Sequence, residues 1–133
     1  MSRVFADTSI LGRYFADDDP ARAFAAAGLI DGDATVVVST TALLELVHVL
    51  RNDHGIGNAA LAEALIRFLS RANVELADAD RAAAITGLRW TMRVAARRIP
   101  DALIAAAAEH ARCDWIAPFD ERMTSPSVPV RAI

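Results

Sequence analysis

The sequence contains no lysine; all 14 of its basic residues are arginine. Together with the abundance of alanine, this fits a GC-rich coding sequence better than a functional demand. It also means that no lysine ammonium is present to pair with a buried acid. A single cysteine, Cys113, excludes an internal disulfide and agrees with a reducing compartment. Cys113 is expected to be a small core residue at a helix end. No apolar run reaches the roughly 18–20 residues that span a bilayer, so no membrane association is expected. The amino terminus, Met1-Ser2-Arg3-Val4-Phe5-Ala6-Asp7, lacks a signal-peptide apolar core because Asp7 interrupts it, which makes a cytoplasmic location the expectation. Repeats, low-complexity tracts and linkers are also missing. The 133 residues are therefore expected to form a single domain over 1–133, with enough chain for one real core. A net charge of −3 argues against a nonspecific nucleic-acid coat protein, though not against an enzyme that acts on nucleic acid.

What is present is an alternation of strand and helix patterns. Residues 3–7 read as a strand and Ser9 to Phe15 as a helix. Pro20 sits at a helix start, and Ala21 to Ile30 follow before the Asp31-Gly32-Asp33 turn. Thr35-Val36-Val37-Val38 is the clearest strand, short and β-branched. Ser39, Thr40 and Thr41 offer hydroxyl caps to a helix that runs to about Asp53, with Gly55 as its stop. Another helix spans about Asn58 to Ser70, and Val74-Glu75-Leu76 reads as a weak strand. Asp78 or Asp80 caps a further helix, expected to break near Gly87 and resume through Ile99. Pro100 opens an Ala-rich helix to about Arg112; Asp114–Ala117 and Val128–Arg131 read as final strands. This pattern predicts an α/β fold, with a central, mostly parallel sheet of about four to five strands flanked by helices in three α/β/α layers. In such sheets ligands collect beyond the carboxyl ends of the strands.

Four acids stand beside segments that should be buried. Asp7 ends Val4-Phe5-Ala6, and Glu45 interrupts the apolar helix Ala42-Leu43-Leu44-x-Leu46-Val47. Asp101 leads into Ala102-Leu103-Ile104-Ala105-Ala106, and Asp120 follows Trp115-Ile116-Ala117-Pro118-Phe119. An ionised carboxylate near a core is costly unless it is paired, hydrogen-bonded or metal-bound. Each acid has a plainer reading: Asp7 as an N-cap that Thr8 or Ser9 could equally supply, Asp101 as a first-turn acid favoured by the helix dipole, Glu45 as part of a solvated stripe, Asp120 as a turn acid. Taken jointly, they flank different buried elements at one sheet edge, where clustered carboxylates raise one another's pKa unless a cation neutralises them. Oxygen donors with little histidine and cysteine point to Mg2+, or Mn2+ as a substitute. Glu45-x-x-His48 matches half of a di-iron motif, but the second half is missing, so His48 is read as a partly buried, hydrogen-bonded side chain.

These segments resemble the ordered motifs of the PIN domain: Asp7-Thr8-Ser9 after a strand, Glu45 mid-helix, Pro100-Asp101-Ala102-Leu103-Ile104-Ala105-Ala106, and Phe119-Asp120. In length the chain is similar to the VapC toxins of type II toxin–antitoxin systems. The resemblance departs at Phe119-Asp120-Glu121-Arg122, where a polar residue more usually precedes the last Asp. It implies a Mg2+-dependent endoribonuclease that hydrolyses RNA phosphodiester bonds, and a small antitoxin protein encoded beside it. Asp7, Asp101, Asp120 and Glu45 would be the metal and catalytic set, with Thr8 or Ser9 fixing Asp7. Glu45 would orient or deprotonate the attacking water, or serve a second metal.

An RNA substrate needs positive charge. Arg89, Arg93 and Arg97, with Arg98 adjacent, form a candidate basic stripe whose plainer reading is a solvated face. Trp90 and Trp115 are read as core residues. The many apolar helices of so short a chain suggest a homodimer. The rival classes each lack a part. A phosphorelay receiver resembles a system that also uses a lysine, and a haloacid-dehalogenase-like phosphatase would want an Asp where Ser9 stands. Ser-His-Asp chemistry has no Gly-x-Ser-x-Gly elbow here. A catalytically silent module that binds RNA or protein through the same fold is the remaining alternative.

Overall fold

A computed structural model describes residues 2–16, 18–94, 98–120 and 122–133. Its elements in chain order are β1 (Arg3–Phe5), α1 (Thr8–Phe15), α2 (Pro20–Ile30), β2 (Thr35–Val38), α3 (Thr40–His54), α4 (Asn58–Leu69), β3 (Val74–Leu76), α5 (Arg81–Arg93) and α6 (Ile99–His110). The chain divides into two compact units, one of Met1–Gly57 with Phe68–Asp78, the other of Asn58–Arg67 with Ala79–Ile133. Among the described residues no helix is long and apolar enough to cross a membrane.

The first unit holds a parallel sheet in the order β1-β2-β3, which establishes the α/β class. Its central strand β2 buries Val36, Val37 and Val38, the continuous apolar run expected of a strand covered on both faces. Hydrogen bonds from Ala6 N to Val37 O and from Ala77 N to Val38 O, both 2.8 Å, carry the pairing one residue past β1 and β3. Helix α3 starts where Ser39 accepts from Ala42 N at 3.1 Å, and ends at Gly55 in the left-handed region (φ 64°), whose N–H bonds back to Arg51 O. Opposite the carboxyl edge, Tyr14 packs edge-on to Phe15 and against Phe68, while its hydroxyl donates to Asp31 Oδ1 at 2.9 Å. Arg71 Nη2 reaches the same oxygen at 2.6 Å. Burial and then the bond to Asp31 push the Tyr14 hydroxyl above its ordinary pKa.

In the second unit α5 packs against α6. A cluster of Trp90, Ala105, Ala106, Ile116, Met123 and Val128 forms its core, with Ala108 and Val130 packed against it. The sheet has three strands among the described residues, rather than the four to five expected. The segments expected as final strands make only one isolated parallel bridge, Ile116 to Val130. Helix α5 runs unbroken through Gly87. The glycine is there for proximity: a Cβ would lie 2.8 Å from Ala102 O and 3.0 Å from Ala106 Cβ. Two further expectations are corrected. Cys113 is exposed, because α6 has ended at His110 and the chain has turned outward. Trp115 is 41% exposed with the Arg131 guanidinium 5.5 Å from its ring centroid, so its face is covered by a cation and not by core.

Two of the helical glycines, Gly87 and Gly28, should respond oppositely to alanine. Gly87→Ala forces atoms into the Ala102 carbonyl and should lower stability by about 1–2 kcal/mol, overpacking outweighing the gain in helix propensity. Gly28 in α2 has open space where a Cβ would go, so Gly28→Ala should raise stability by about 0.5–1 kcal/mol. Denaturant midpoints decide it, and a gain at Gly87 would remove the close approach.

Candidate functional site

Parallel pairing puts the carboxyl ends of β1, β2 and β3 on one edge, and the next residues of each strand carry oxygen donors. Asp7 follows β1, Ser39 and Thr40 follow β2, and Asp78 follows β3. Asp7 proves to be the N-cap of α1. Its Oδ2 accepts from Ser9 N at 3.3 Å and from Ser9 Oγ at 2.7 Å. The carboxylate is exposed, not submerged beside the core. The Ser9 hydroxyl, then the backbone N–H groups of Ser9 and Thr8, hold its pKa below the ordinary value. This is opposite to the rise expected of crowded acids, because the hydrogen bonds from Ser9 and Thr8 stabilise the ionised form.

Thr8 serves a different acid. Its Oγ1 donates to Glu45 Oε2 at 3.0 Å across 37 residues, tying the middle of α3 to the first residue of α1. Glu45 lies on the exposed side of a helix that buries Ala42, Leu43, Leu46, Val47 and Leu50. His48 is exposed as well, not partly buried, and its ring meets the Asn52 amide at 3.1 Å. Asp78, read from sequence only as a possible helix cap, accepts from both Thr40 N and Thr40 Oγ1 at 2.9 Å. Asp80 takes the capping role for α5 instead, accepting from Ala83 N. A polar residue two positions beyond a parallel strand was the available signal for Asp78. Beside Thr8 and Ser9, a cleft of about 620 Å³ is walled by side chains of α1, α2 and α3, among them Ile10, Arg13, Arg22, Leu46 and Val49.

The other two acids belong to the second unit. Asp101 stands in the first turn of α6 with its side chain 17% exposed. Arg98 Nε and Nη2 donate to its Oδ2 at 3.3 and 3.2 Å, and Arg98 Nη2 is also 3.8 Å from Asp120 Oδ2. Asp120 further accepts from Arg122 N at 2.9 Å and Arg122 Nε at 3.2 Å. The Arg122 side chain and then its backbone N–H lower the Asp120 pKa. Arginine thus supplies the counter-charge that lysine cannot. Of the candidate basic stripe, Arg89 and Arg93 are exposed on α5, Arg98 is engaged with the acids, and Arg97 lies outside the described residues. Among the described residues, neither unit by itself assembles three or more His, Cys, Asp or Glu side chains able to hold a metal ion. The donors present are carboxylate and hydroxyl oxygens, a set whose chemistry suits a hard divalent cation.

The chain belongs to the PIN domain family, whose model matches residues 4–127. PIN domains are generally a nuclease fold, typically working with divalent metals on nucleic acid. No curated protein matches the chain.

In the metal-free protein, Ser9→Ala should bring the Asp7 pKa up toward the ordinary carboxylate value, as read by carboxyl NMR titration. A depressed carboxyl pKa contributes stability that is present at neutral pH and lost as pH falls through the folded-state value. The variant should therefore lose stability at neutral pH and show a shallower acid dependence. An unmoved Asp7 titration would discount the Ser9 hydroxyl.

Proposed function

We propose that this protein is a Mg2+-dependent endoribonuclease hydrolysing RNA phosphodiester bonds, and that it is the toxin of a VapBC-type toxin–antitoxin pair. The observation that carries the reading is the Thr8–Glu45 hydrogen bond. It links the mid-helix Glu45 to Thr8, the residue after Asp7, in a chain whose family is a nuclease fold. Asp7, Asp101 and Asp120, with Glu45, are the carboxylates assigned to holding Mg2+ or Mn2+. When bound, such an ion supplies Lewis-acid polarisation of the phosphodiester and activation of water.

The chain's own groups do the rest. Ser9 fixes the Asp7 carboxylate and keeps it ionised at neutral pH, so that it presents full charge. Thr8 occupies Glu45 Oε2 and thereby orients the carboxylate. Glu45 accepts the proton of the attacking water as the new P–O bond forms, and the leaving ribose oxygen takes a proton from solvent. Arg89 and Arg93 offer phosphate contacts along α5. Unstacked single-stranded or looped RNA is the substrate class, because a small site must reach an exposed backbone. The protein partners of this reading are a small antitoxin and a second copy of the chain, and its setting is the cytoplasm.

A silent module binding RNA or protein is the second reading. It is favoured by the fact that the acids already have internal partners: Ser9 for Asp7, Thr8 for Glu45, and arginines for Asp101 and Asp120. Cleavage separates the two. The nuclease cuts RNA with Mg2+ or Mn2+ and stops in EDTA, and Asp7→Asn or Asp101→Asn abolishes cutting with an unchanged circular dichroism spectrum. Glu45→Gln should keep RNA binding while single-turnover cleavage slows about 10²–10⁴-fold, the range of general acid–base assistance. Equal single-turnover rates for Glu45→Gln and wild type would remove Glu45 as the base. Absence of any metal-dependent cutting would leave the silent module.

A further inference from the structure

Arg98 occupies a position that suits its charge badly. It is the N-cap residue of α6, makes no side-chain capping bond, and puts a cation at the positive end of a helix dipole. Asp, Asn, Ser or Thr would stabilise the helix at that site. Its guanidinium turns instead to two carboxylates from separate segments. It lies 3.2 Å from Asp101 Oδ2 and 3.8 Å from Asp120 Oδ2. Arg122, the other arginine on Asp120, is only two residues away in sequence and 87% exposed. Arg98 is the group that the two acids share. Asp101, with a side chain only 17% exposed, has little water to replace that counter-charge.

We propose that Arg98 is a tethered counter-ion for Asp101 and Asp120, and that a divalent cation binds these carboxylates by displacing its guanidinium. The proposal rests on the metal reading above and adds that metal loading is a cation exchange. Two carboxylates that accept a divalent ion must be deprotonated and must repel one another when it is absent. The guanidinium offsets that repulsion in the metal-free protein at the cost of competing with the ion. Ion affinity is then weaker than the bare carboxylates would give, and removal of Arg98 strengthens it.

Two measurements test this, neither of them an activity. In metal-free protein a thermal double-mutant cycle joins Arg98→Gln and Asp101→Asn. Arg98→Gln should lower the melting temperature by about 1–4 °C when Asp101 is intact, and by much less in the Asp101→Asn background. Additive effects would overturn the counter-ion role. Mn2+ titration by calorimetry should show Arg98→Gln binding roughly two- to tenfold more tightly than wild type. Arg98→Lys, which keeps the charge, should stay near wild type and separates charge from lost packing. Unchanged or weaker Mn2+ binding by Arg98→Gln overturns the exchange while leaving the metal reading intact. If wild type and Arg98→Gln both bind no Mn2+, the metal reading fails and the exchange fails with it, even where the thermal cycle shows coupling.

Discussion

A carboxylate set where a strand ends or a helix begins has to be answered by a donor, and the local structure around each acid here is shaped by which donor answers. Asp7 is answered by Ser9, Glu45 by Thr8, Asp78 by Thr40, and Asp101 and Asp120 by arginine. The adjacent hydroxyls of Thr8 and Ser9 divide the work, one fixing the acid beside it and the other reaching to α3. Ordinary capping and helix-to-helix tethering therefore use the same oxygens that a metal-dependent nuclease would use. At Asp7 a cap bond occupies one carboxylate oxygen and holds the group ionised, which is the state a cation would require.

The sheet makes this economical. Because β1, β2 and β3 are parallel, each strand delivers its next residues to the same edge, and the buried valines of β2 keep that edge in register. The α3 helix then starts directly from that edge, capped by Ser39, and its exposed side carries Glu45 in the second turn. One short apolar strand, two hydroxyl-rich turns and one amphipathic helix are enough to give two acids of the first unit their donors from adjacent residues, Thr8 and Ser9.

Much of this was legible in the sequence, for identifiable reasons. The β-branched run Thr35–Val38, the Ser39 hydroxyl, Gly55 and Pro100 are local signals, and each marks the element it was read to mark. Part of what failed depended on partners distant in sequence. Gly87 was read as a helix break, but the decisive fact is how near the Ala102 carbonyl lies. Thr8–Glu45 and Thr40–Asp78 span 37 and 38 residues, and no local periodicity encodes them. Cys113 and Trp115 were placed in the core by residue type, although both follow the end of α6, where the chain has left helical register. The four acids were singled out because burial would make them expensive. Asp7 and Glu45 are exposed, so the inference pointed to informative residues through a cost that those two do not bear.

The central claim is that these carboxylates hold a divalent cation. Anomalous diffraction from crystals soaked in Mn2+ tests it most directly. The account predicts a strong anomalous peak within coordination distance of the Asp7 carboxylate, ligated also by other members of the set Glu45, Asp101 and Asp120. A Mn2+ peak confined to other residues, or none at saturating Mn2+, would contradict it.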